Sequence, residues 1–160
     1  MTTLIDSHCH LDFPDFASEL DAVVGRACAA GIARMVTIST RVAKQDALLA
    51  IADRFADVYC SVGTHPHYAH EELEIGTADL VARTRNPKVV AIGEAGLDYH
   101  YDNSPRDVQQ AVFRRQLKHA VRLEKPLVIH TREAEEDTEK ILKEEVPKDY
   151  KVRHLHSSIF

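Results

Sequence analysis

The chain has 160 residues, 44% of them hydrophobic and 28% charged, which is the balance of a folded globular protein and excludes an intrinsically disordered chain. Its formal net charge of −5 excludes a generally basic surface for nucleic acid, but leaves room for a local basic cluster or for metal-mediated binding of phosphate. The unpaired spacing of three cysteines and the lack of a signal-peptide or membrane-spanning stretch predict a cytoplasmic protein, or a nuclear one in a eukaryote, with a single domain over residues 1–160.

Six short segments rich in β-forming residues follow one another along the chain, and helical segments separate most of them. The predicted strands are Leu4–Ser7, Met35–Ser39, Val58–Val62, Val89–Ile92, Leu127–Ile129 and Val152–His156. The predicted helices are Phe16–Ala27, Ala47–Phe55, Asp79–Arg85, a helix capped by Ser104-Pro105 that runs to about Lys125, and a helix from about Ala134 to Glu145. The sixth strand is the weakest of these predictions, because Arg153 and His154 interrupt its apolar character.

This alternation of strands and helices predicts parallel strands joined by crossover helices. Two architectures fit the pattern: an open doubly wound sheet and a (β/α)₈ barrel. In both, the chemistry gathers at the C-terminal ends of the strands. The residues at those ends therefore show where a functional site would lie.

Histidine or glutamate follows every predicted strand except the second, which ends at Ser39-Thr40-Arg41. The residues at the other strand ends are His8, His10, His65, His67, Glu94, His130, His154 and His156. A single His-x-His pair is weak evidence for a metal site. Seven of the ten histidines at strand ends form a pattern that is much stronger than any one motif.

Glu94 follows an apolar strand and is flanked by Gly93 and Gly96. A carboxylate in such a place is costly unless it is paired or binds a metal, and the glycines let the backbone turn sharply or approach a ligand. Imidazole and carboxylate ligands together suit Zn²⁺, Mn²⁺, Fe²⁺ or Ni²⁺, and oxygen ligands suit Mg²⁺. Arg132, two residues after His130, is placed either to receive an anion such as phosphate or to form an ordinary surface ion pair.

Four segments resemble, in order, the signatures of the TatD-related metal-dependent deoxyribonucleases of the amidohydrolase-like superfamily. They are Asp6-Ser7-His8-Cys9-His10-Leu11-Asp12, Gly63-Thr64-His65-Pro66-His67, Gly93-Glu94-Ala95-Gly96-Leu97-Asp98-Tyr99 and Ile129-His130-Thr131-Arg132-Glu133-Ala134. The resemblance implies an α/β fold, a TIM-type (β/α)₈ barrel. It also implies divalent-metal-dependent hydrolysis of DNA phosphodiester bonds by a metal-activated water, often exonucleolytic.

The resemblance further implies a site with two divalent ions, Zn, Mn or Mg, and it assigns the residues. His8 and His10 would bind the first ion and Glu94, the catalytic carboxylate, would bridge to the second. His130 and a sixth-strand histidine would complete the second ion's ligands, with His156 a better fit than His154. His65 and Arg132 would bind the substrate phosphate, and Asp6 would orient an imidazole.

Two departures from the family pattern stand out. The sixth segment reads His154-Leu155-His156-Ser157, and the Thr-Asp-x-Pro segment, whose aspartate completes the first ion's ligands, is absent. Asp12 and Asp98 are the nearest candidates to replace that aspartate, and a loop or substrate-contact role fits both better. A barrel of this kind needs about 250 residues, so the chain supplies about six of eight strands. We therefore expect a C-terminally truncated barrel whose exposed edges allow association.

Three functions follow from these observations. The first is a metal-dependent deoxyribonuclease, with DNA as its partner and no membrane association. The second keeps the metal site but acts on small-molecule esters or amides, because fold and ligands are shared between such enzymes. The third is an inactive truncated remnant that lacks the last metal ligand. The glutamate and His-Thr-Arg segments favour the nuclease, because they are more specific to the family than His-x-His.

Overall fold

A parallel six-stranded sheet forms the centre of the protein, with its strands in the order β1 to β6. The computed structural model describes residues 3–150 and, for the backbone alone, residues 154–157. The strands are β1 (Leu4–Cys9), β2 (Ile32–Thr37), β3 (Val58–Val62), β4 (Val89–Asp98), β5 (Leu127–Arg132) and β6 (His154–Ser157). Each strand pairs with the one before it in sequence, so the order has no reversal of the kind that defines a doubly wound sheet. The fold is therefore the curled part of a TIM-type α/β barrel.

Five α-helices connect these strands, as expected for parallel crossovers. They are α1 (Leu20–Ala29), α2 (Gln45–Arg54), α3 (Thr77–Arg83), α4 (Arg106–Leu123) and α5 (Glu135–Glu145). Short 3₁₀ helices at Pro14–Phe16, Val42–Lys44 and Pro66–Glu71 lie in the loops after β1, β2 and β3. None of the helices within the described ranges is long and apolar enough to cross a membrane. The three cysteines, at positions 9, 28 and 60, are free, as their spacing predicts.

Most element boundaries differ from the sequence prediction by a few residues, and two of these differences bear on the site. Strand β4 continues past Ile92 to Asp98, because the backbone of the glycine-rich segment pairs with β5 instead of leaving the sheet. Ser104 does not cap α4, which begins at Arg106 with Pro105 at the N-cap. Its hydroxyl is instead used by the loop after β3, where it donates to the main-chain carbonyl of His67 at 3.1 Å.

The core lies mainly between the sheet and the helices. Its largest fully buried side chains include Leu48, Phe113, Leu117, Ile129 and Ile141. A smaller cluster of Ile38, Ala91 and Val128 is separate from this core. Because adjacent residues of a strand point to opposite faces, Val128 lies on the other face of the sheet from Ile129. This second face is the inside of the curled sheet.

Lys88 closes the end of the sheet at which strands β3 and β4 begin. Its ammonium group donates hydrogen bonds to the main-chain carbonyls of Phe55 at 3.0 Å, Ala56 at 2.8 Å and Val58 at 3.0 Å. It also lies 4.9 Å from the centre of the Tyr59 ring. An ammonium group has three N–H donors, so one side chain satisfies three acceptors there.

Candidate metal centre

The predicted strand-end residues converge on Glu94, whose side chain is buried with 3% of its surface exposed. His8 Nε2 lies 3.6 Å from one carboxylate oxygen of Glu94. His130 Nδ1 lies 3.1 Å and His65 Nε2 3.9 Å from the other oxygen. Three rings from different parts of the chain thus surround one carboxylate, as the positions at the strand ends predict.

Burial and neighbouring charges set the protonation states of this cluster. Burial alone would raise the pKa of Glu94, but hydrogen bonds from His130 and His8 hold that pKa well below its usual range. Burial would lower the pKa of His130, yet the carboxylates of Glu94 and Asp98 raise it above its usual value. Burial lowers the pKa of His65 to about 3, because the nearby Glu94 only partly opposes it. At neutral pH, Glu94 is therefore ionised and His65 is neutral.

His10 presents one defined nitrogen to the cluster. Its Nδ1 lies 3.2 Å from the main-chain carbonyl oxygen of Ile38. A carbonyl oxygen only accepts hydrogen bonds, so Nδ1 carries the proton of the ring and burial, which lowers the pKa of His10, favours the neutral form. The other nitrogen, Nε2, then keeps its lone pair. This is the arrangement in which a carbonyl orients a metal-binding histidine.

His65 has the opposite arrangement. The main-chain N–H of His67 donates to His65 Nδ1 at 3.1 Å, so this nitrogen is an acceptor and the neutral ring carries its proton on Nε2. Nε2 faces His130 Nδ1 at 3.3 Å and the Glu94 carboxylate. A protonated ring nitrogen donates hydrogen bonds and does not bind a cation. His65 is therefore suited to donate to an anion.

Asp98 links His130 to a second histidine. One oxygen of its buried carboxylate lies 3.0 Å from His130 Nε2 and 2.9 Å from His67 Nε2. Its other oxygen accepts from the main-chain N–H of Tyr101 at 3.0 Å. Burial would raise the pKa of Asp98, but these hydrogen bonds hold it below its usual range. Because Asp98 occupies Nε2 of His130, Nδ1 is the nitrogen of that ring that faces Glu94.

The segment that follows β2 contributes backbone to the site. The carbonyl of Ser39 accepts from the N–H of Glu94 at 2.9 Å, and the carbonyl of Thr40 accepts from the N–H of His65 at 2.9 Å. The strand end that lacks histidine and glutamate therefore holds two of the site residues in place. Hydrogen bonds of this kind are independent of side-chain type, so the sequence pattern contained no signal for them.

Two buried glutamines of helix α4 fix the neighbouring strand ends. The Gln109 amide accepts from the N–H of Asp98 at 2.8 Å and donates to its carbonyl at 3.1 Å. The Gln116 amide makes the same pair of bonds with Thr64, each at 2.9 Å. These residues were not predicted as part of the site. The sequence feature that could have identified them is their spacing of seven residues, which places both on the apolar side of α4.

The remaining predicted residues are placed as follows. Asp6 accepts a hydrogen bond from the main-chain N–H of His8 at 3.1 Å, so its described contact is with backbone and its role towards an imidazole stays a prediction. The Arg132 guanidinium lies over the ring of Tyr101 at 4.7 Å. The backbone of His156 pairs with that of His130 in the β5–β6 ladder. The side chains of His154 and His156 lie outside the described residues.

The donor atoms fit divalent cations. Glu94 belongs to two groups of potential ligands, one with His8 and His10 and the other with His65 and His130, and within each group the ligand atoms lie within 4.8 Å of one another. A carboxylate shared by imidazoles is the ligand chemistry of Zn²⁺ and Mn²⁺ sites. The proton on His65 Nε2 favours His8, His10 and His130 over His65 as the nitrogen ligands.

Several known proteins are similar to this chain. The uncharacterized metal-dependent hydrolase YabD of Bacillus subtilis is 37% identical over 142 residues, which cover 89% of this chain and 56% of YabD. The 3'-5' ssDNA/RNA exonuclease TatD of Enterobacter lignolyticus is 35% identical over 133 residues, which cover 83% of this chain and 51% of that protein. The crystal structure of the TatD homologue YjjV from Escherichia coli matches with a TM-score of 0.82 and 33% identity, covering 89% of this chain and 56% of YjjV.

The chain spans about half the length of the curated relatives that it matches. Its sequence matches the family described as TatD related DNase over residues 5–158, which is nearly the whole chain. The fold agrees with that match, since the TatD homologue YjjV has a similar structure. The chain therefore belongs to the TatD-related DNase family.

Proposed function

We propose that the protein of this chain hydrolyses phosphodiester bonds in single-stranded DNA, from the end of the strand, with the help of divalent cations. The observation that carries the proposal is the buried Glu94 carboxylate, which is surrounded by His8, His65 and His130. A buried carboxylate is costly unless it is paired, and metal ions held by these imidazoles can take over that pairing. The single-strand preference and the end-directed mode follow the name of the Enterobacter relative, which also includes RNA.

In this proposal, two divalent ions, Zn²⁺, Mn²⁺ or Mg²⁺, share Glu94. His8 and His10 would hold the first, and His130 with a sixth-strand histidine, His156, would hold the second. Such ions, when bound, lower the pKa of a coordinated water towards neutrality and balance the charge that develops on the phosphate. Glu94 is fitted to this role because its pKa is held well below its usual range, so it stays ionised throughout the neutral pH range.

Other side chains would bind and orient the substrate. His65 holds a proton on Nε2, because the N–H of His67 occupies its Nδ1, and this proton can be donated to a phosphate oxygen. Arg132, at the end of β5, supplies a second donor to the same anion. Asp98 keeps His130 in one orientation through the bond to Nε2, as carboxylates commonly do for metal-binding histidines.

The single domain and the cytoplasmic location stay predictions.

The test is release of nucleotides from a single-stranded oligonucleotide by the purified chain in Mn²⁺. EDTA should abolish release, and Glu94→Gln should reduce it by roughly a hundredfold or more, because the shared charge is lost. Glu139→Gln is the matched control, since Glu139 lies on the surface of α5 and pairs with Lys143. Release that resists EDTA would contradict the proposal. Intact DNA with turnover of a chromogenic ester would indicate a small-molecule hydrolase, and no turnover of either would indicate an inactive remnant.

A further inference from the structure

A cavity of about 400 Å³ adjoins the candidate metal centre, between the loops that follow β1, β2 and β3. The residues that line it include Asp12, Phe13, Thr40, Arg41, Lys44 and Tyr68. Its volume falls within the range of about 300–1,000 Å³ that is typical of small-molecule sites. The proposed function, as described above, has no role for this cavity.

Two aromatic rings form part of the wall. Phe13 is 41% exposed, and its ring stacks on His10 with the ring centres 4.7 Å apart and the planes 17° from parallel. Because one face of Phe13 lies on His10, the opposite face can receive a further planar group. Tyr68 lies under the guanidinium of Arg41, which is 3.9 Å from the ring centre. The wall therefore has the character of sites that bind nucleobases by stacking.

Polar groups in the same wall complement the rest of a nucleotide. Arg41 pairs with Glu71 at 2.9 Å through one terminal nitrogen. Its buried Nε has no hydrogen-bond partner among the residues described, which leaves a donor for an anion. Lys44 adds an exposed ammonium group. Asp12 Oδ1 is a buried acceptor that likewise has no partner within the described residues, and it suits a base amino or imino group or a sugar hydroxyl.

Direct contacts connect this cavity to two histidines of the candidate metal centre. Phe13 stacks on His10, and Thr40 of the cavity wall accepts from the N–H of His65 at 2.9 Å. Tyr68 follows in the loop of His65, whose carbonyl accepts from the Tyr68 N–H at 2.9 Å. A phosphate held beside His10 and His65 would therefore place the nucleotide attached to it at the mouth of the cavity.

We propose that this cavity is a nucleotide subsite, in which the base next to the scissile phosphodiester stacks on Phe13 while Lys44 and Arg41 contact the adjoining phosphate. This inference rests on the proposed function, because it names how that same site would hold a single strand. Stacking tolerates any base, since every base has an aromatic face. A paired base in a duplex has both faces covered by its neighbours, so the subsite accepts unpaired ends and rejects duplex interiors.

The test compares binding of a fluorescein-labelled thymidine hexanucleotide with that of an abasic hexamer of equal charge. Fluorescence anisotropy is measured on the full chain in EDTA, which prevents hydrolysis. Wild type should bind the thymidine strand more tightly. Phe13→Leu should weaken binding of the thymidine strand about tenfold and leave the abasic strand unchanged, as expected for the loss of one stacked base. Tyr59→Leu is the matched control, since it also removes an aromatic ring, but one that lies beside Lys88 near the opposite end of the sheet.

Lys44→Gln should weaken the binding of both strands by the same factor and reduce the slope of log affinity against log salt by about 0.7, because one phosphate contact is lost. Lys140→Gln, an exposed lysine on α5, should change neither. The Mn²⁺ affinity of Phe13→Leu, measured by electron paramagnetic resonance, should equal that of wild type, which separates a lost stack from a displaced His10.

The inference is overturned if Phe13→Leu weakens both strands equally or neither, or if wild type does not distinguish them. Its failure and that of the proposed function are separable. Metal-dependent release of nucleotides together with base-independent binding would remove the subsite and keep the nuclease. Base-selective binding that depends on Phe13, without any hydrolysis in Mn²⁺, would keep the subsite and remove the nuclease.

Discussion

Two buried glutamates show how the partners of a side chain decide its use. Glu72 is 4% exposed and Glu94 3% exposed. Glu72 accepts from the main-chain N–H groups of Val42 at 3.0 Å and Ala43 at 2.8 Å and from the Thr64 hydroxyl. These donors cannot leave, so Glu72 fastens one loop to another. Glu94 faces imidazoles, which can exchange a proton for a cation. Of these two glutamates, Glu94 is therefore the one available for chemistry.

We expect the stability of the folded chain to depend on pH because of His119, which lies on α4 and away from the metal centre. Burial lowers its pKa below the usual value, and Arg115 and Arg122 lower it further. The unfolded chain therefore takes up a proton near pH 6.5 that the folded chain takes up only at lower pH. The stability that neutral His119 contributes to the folded chain is complete above pH 6.5. It is lost as the pH falls from 6.5 towards the pKa of His119 in the folded chain, with a slope of at most about 1.4 kcal/mol per pH unit.

The measurement is urea unfolding at several pH values between 7.5 and 5 for wild type and His119→Gln. The free energy of unfolding of wild type should fall more steeply with decreasing pH than that of the variant. Equal slopes would show that His119 protonates equally in both states.

At the level of single residues, the sequence identified the side chains that meet at strand ends. His8, His10, His65, Glu94 and His130 converge as predicted, because parallel strands end at one edge. Asp98 was set aside as a loop or substrate-contact residue, yet it is buried and bridges two imidazoles. Gln116 contacts Thr64 across 52 positions of sequence. A contact between a side chain and a distant backbone depends on the packing of a helix on the sheet, and one sequence holds no local pattern for it.

Strand β4 shows where element prediction failed and why. Glycines are uncommon in strands, so the predicted strand ended at Ile92, and the glycines after it were expected to let the backbone turn sharply or approach a ligand. In the structure, Gly93 and Gly96 have φ values of +128° and +148° and their missing side chains allow close approach of β5. The strand continues because Gly93 and Gly96 lack a Cβ. The cause is therefore the packing of β4 against β5 and not the strand propensity of glycine.

Substitution of these glycines should therefore act on the β4–β5 pairing. A Cβ at Gly96 would lie 1.9 Å from the carbonyl oxygen of His130, whereas one at Gly25, inside α1, would meet nothing within 4 Å. We expect Gly96→Ala to lower the free energy of unfolding by more than about 2 kcal/mol, and Gly25→Ala to raise it by about 0.4–1 kcal/mol. Urea unfolding of both variants checks this, and a neutral Gly96→Ala would contradict the observed strand pairing.

For the whole molecule, the sequential strand order confirmed the barrel and excluded the doubly wound sheet. The association through barrel edges stays a prediction. It is consistent with β1, the first strand in the sheet order, on which Leu4 is 49% and Ile5 59% exposed. The proposed ligands His8, His10, Glu94 and His130 come from β1, the loop after it, β4 and β5, so binding of a cation needs most of the sheet to be folded.

Metal ions should therefore stabilise the folded chain as a unit. At a hundredfold excess over Kd, an ion bound only by the native state adds about 2.7 kcal/mol, which corresponds to a rise of roughly 5–10 °C in Tm for a chain of this size. Near-UV circular dichroism with and without Mn²⁺ or Zn²⁺ measures the shift, and Glu94→Gln should remove most of it. A Tm that does not respond to metal would mean that the ligands do not act together.

The carbonyl cluster around Lys88 has a consequence for how such a protein can diversify. It lies where β3 and β4 begin, while His65 follows the end of β3 and Glu94 lies in the second half of β4. A mutational library confined to the loops beyond the strand ends can alter reactivity without touching the Lys88 anchor. A library of variants at Lys88 would change the stability of the fold and leave the reaction intact. The two traits can thus be selected separately, one from each end of the same strands.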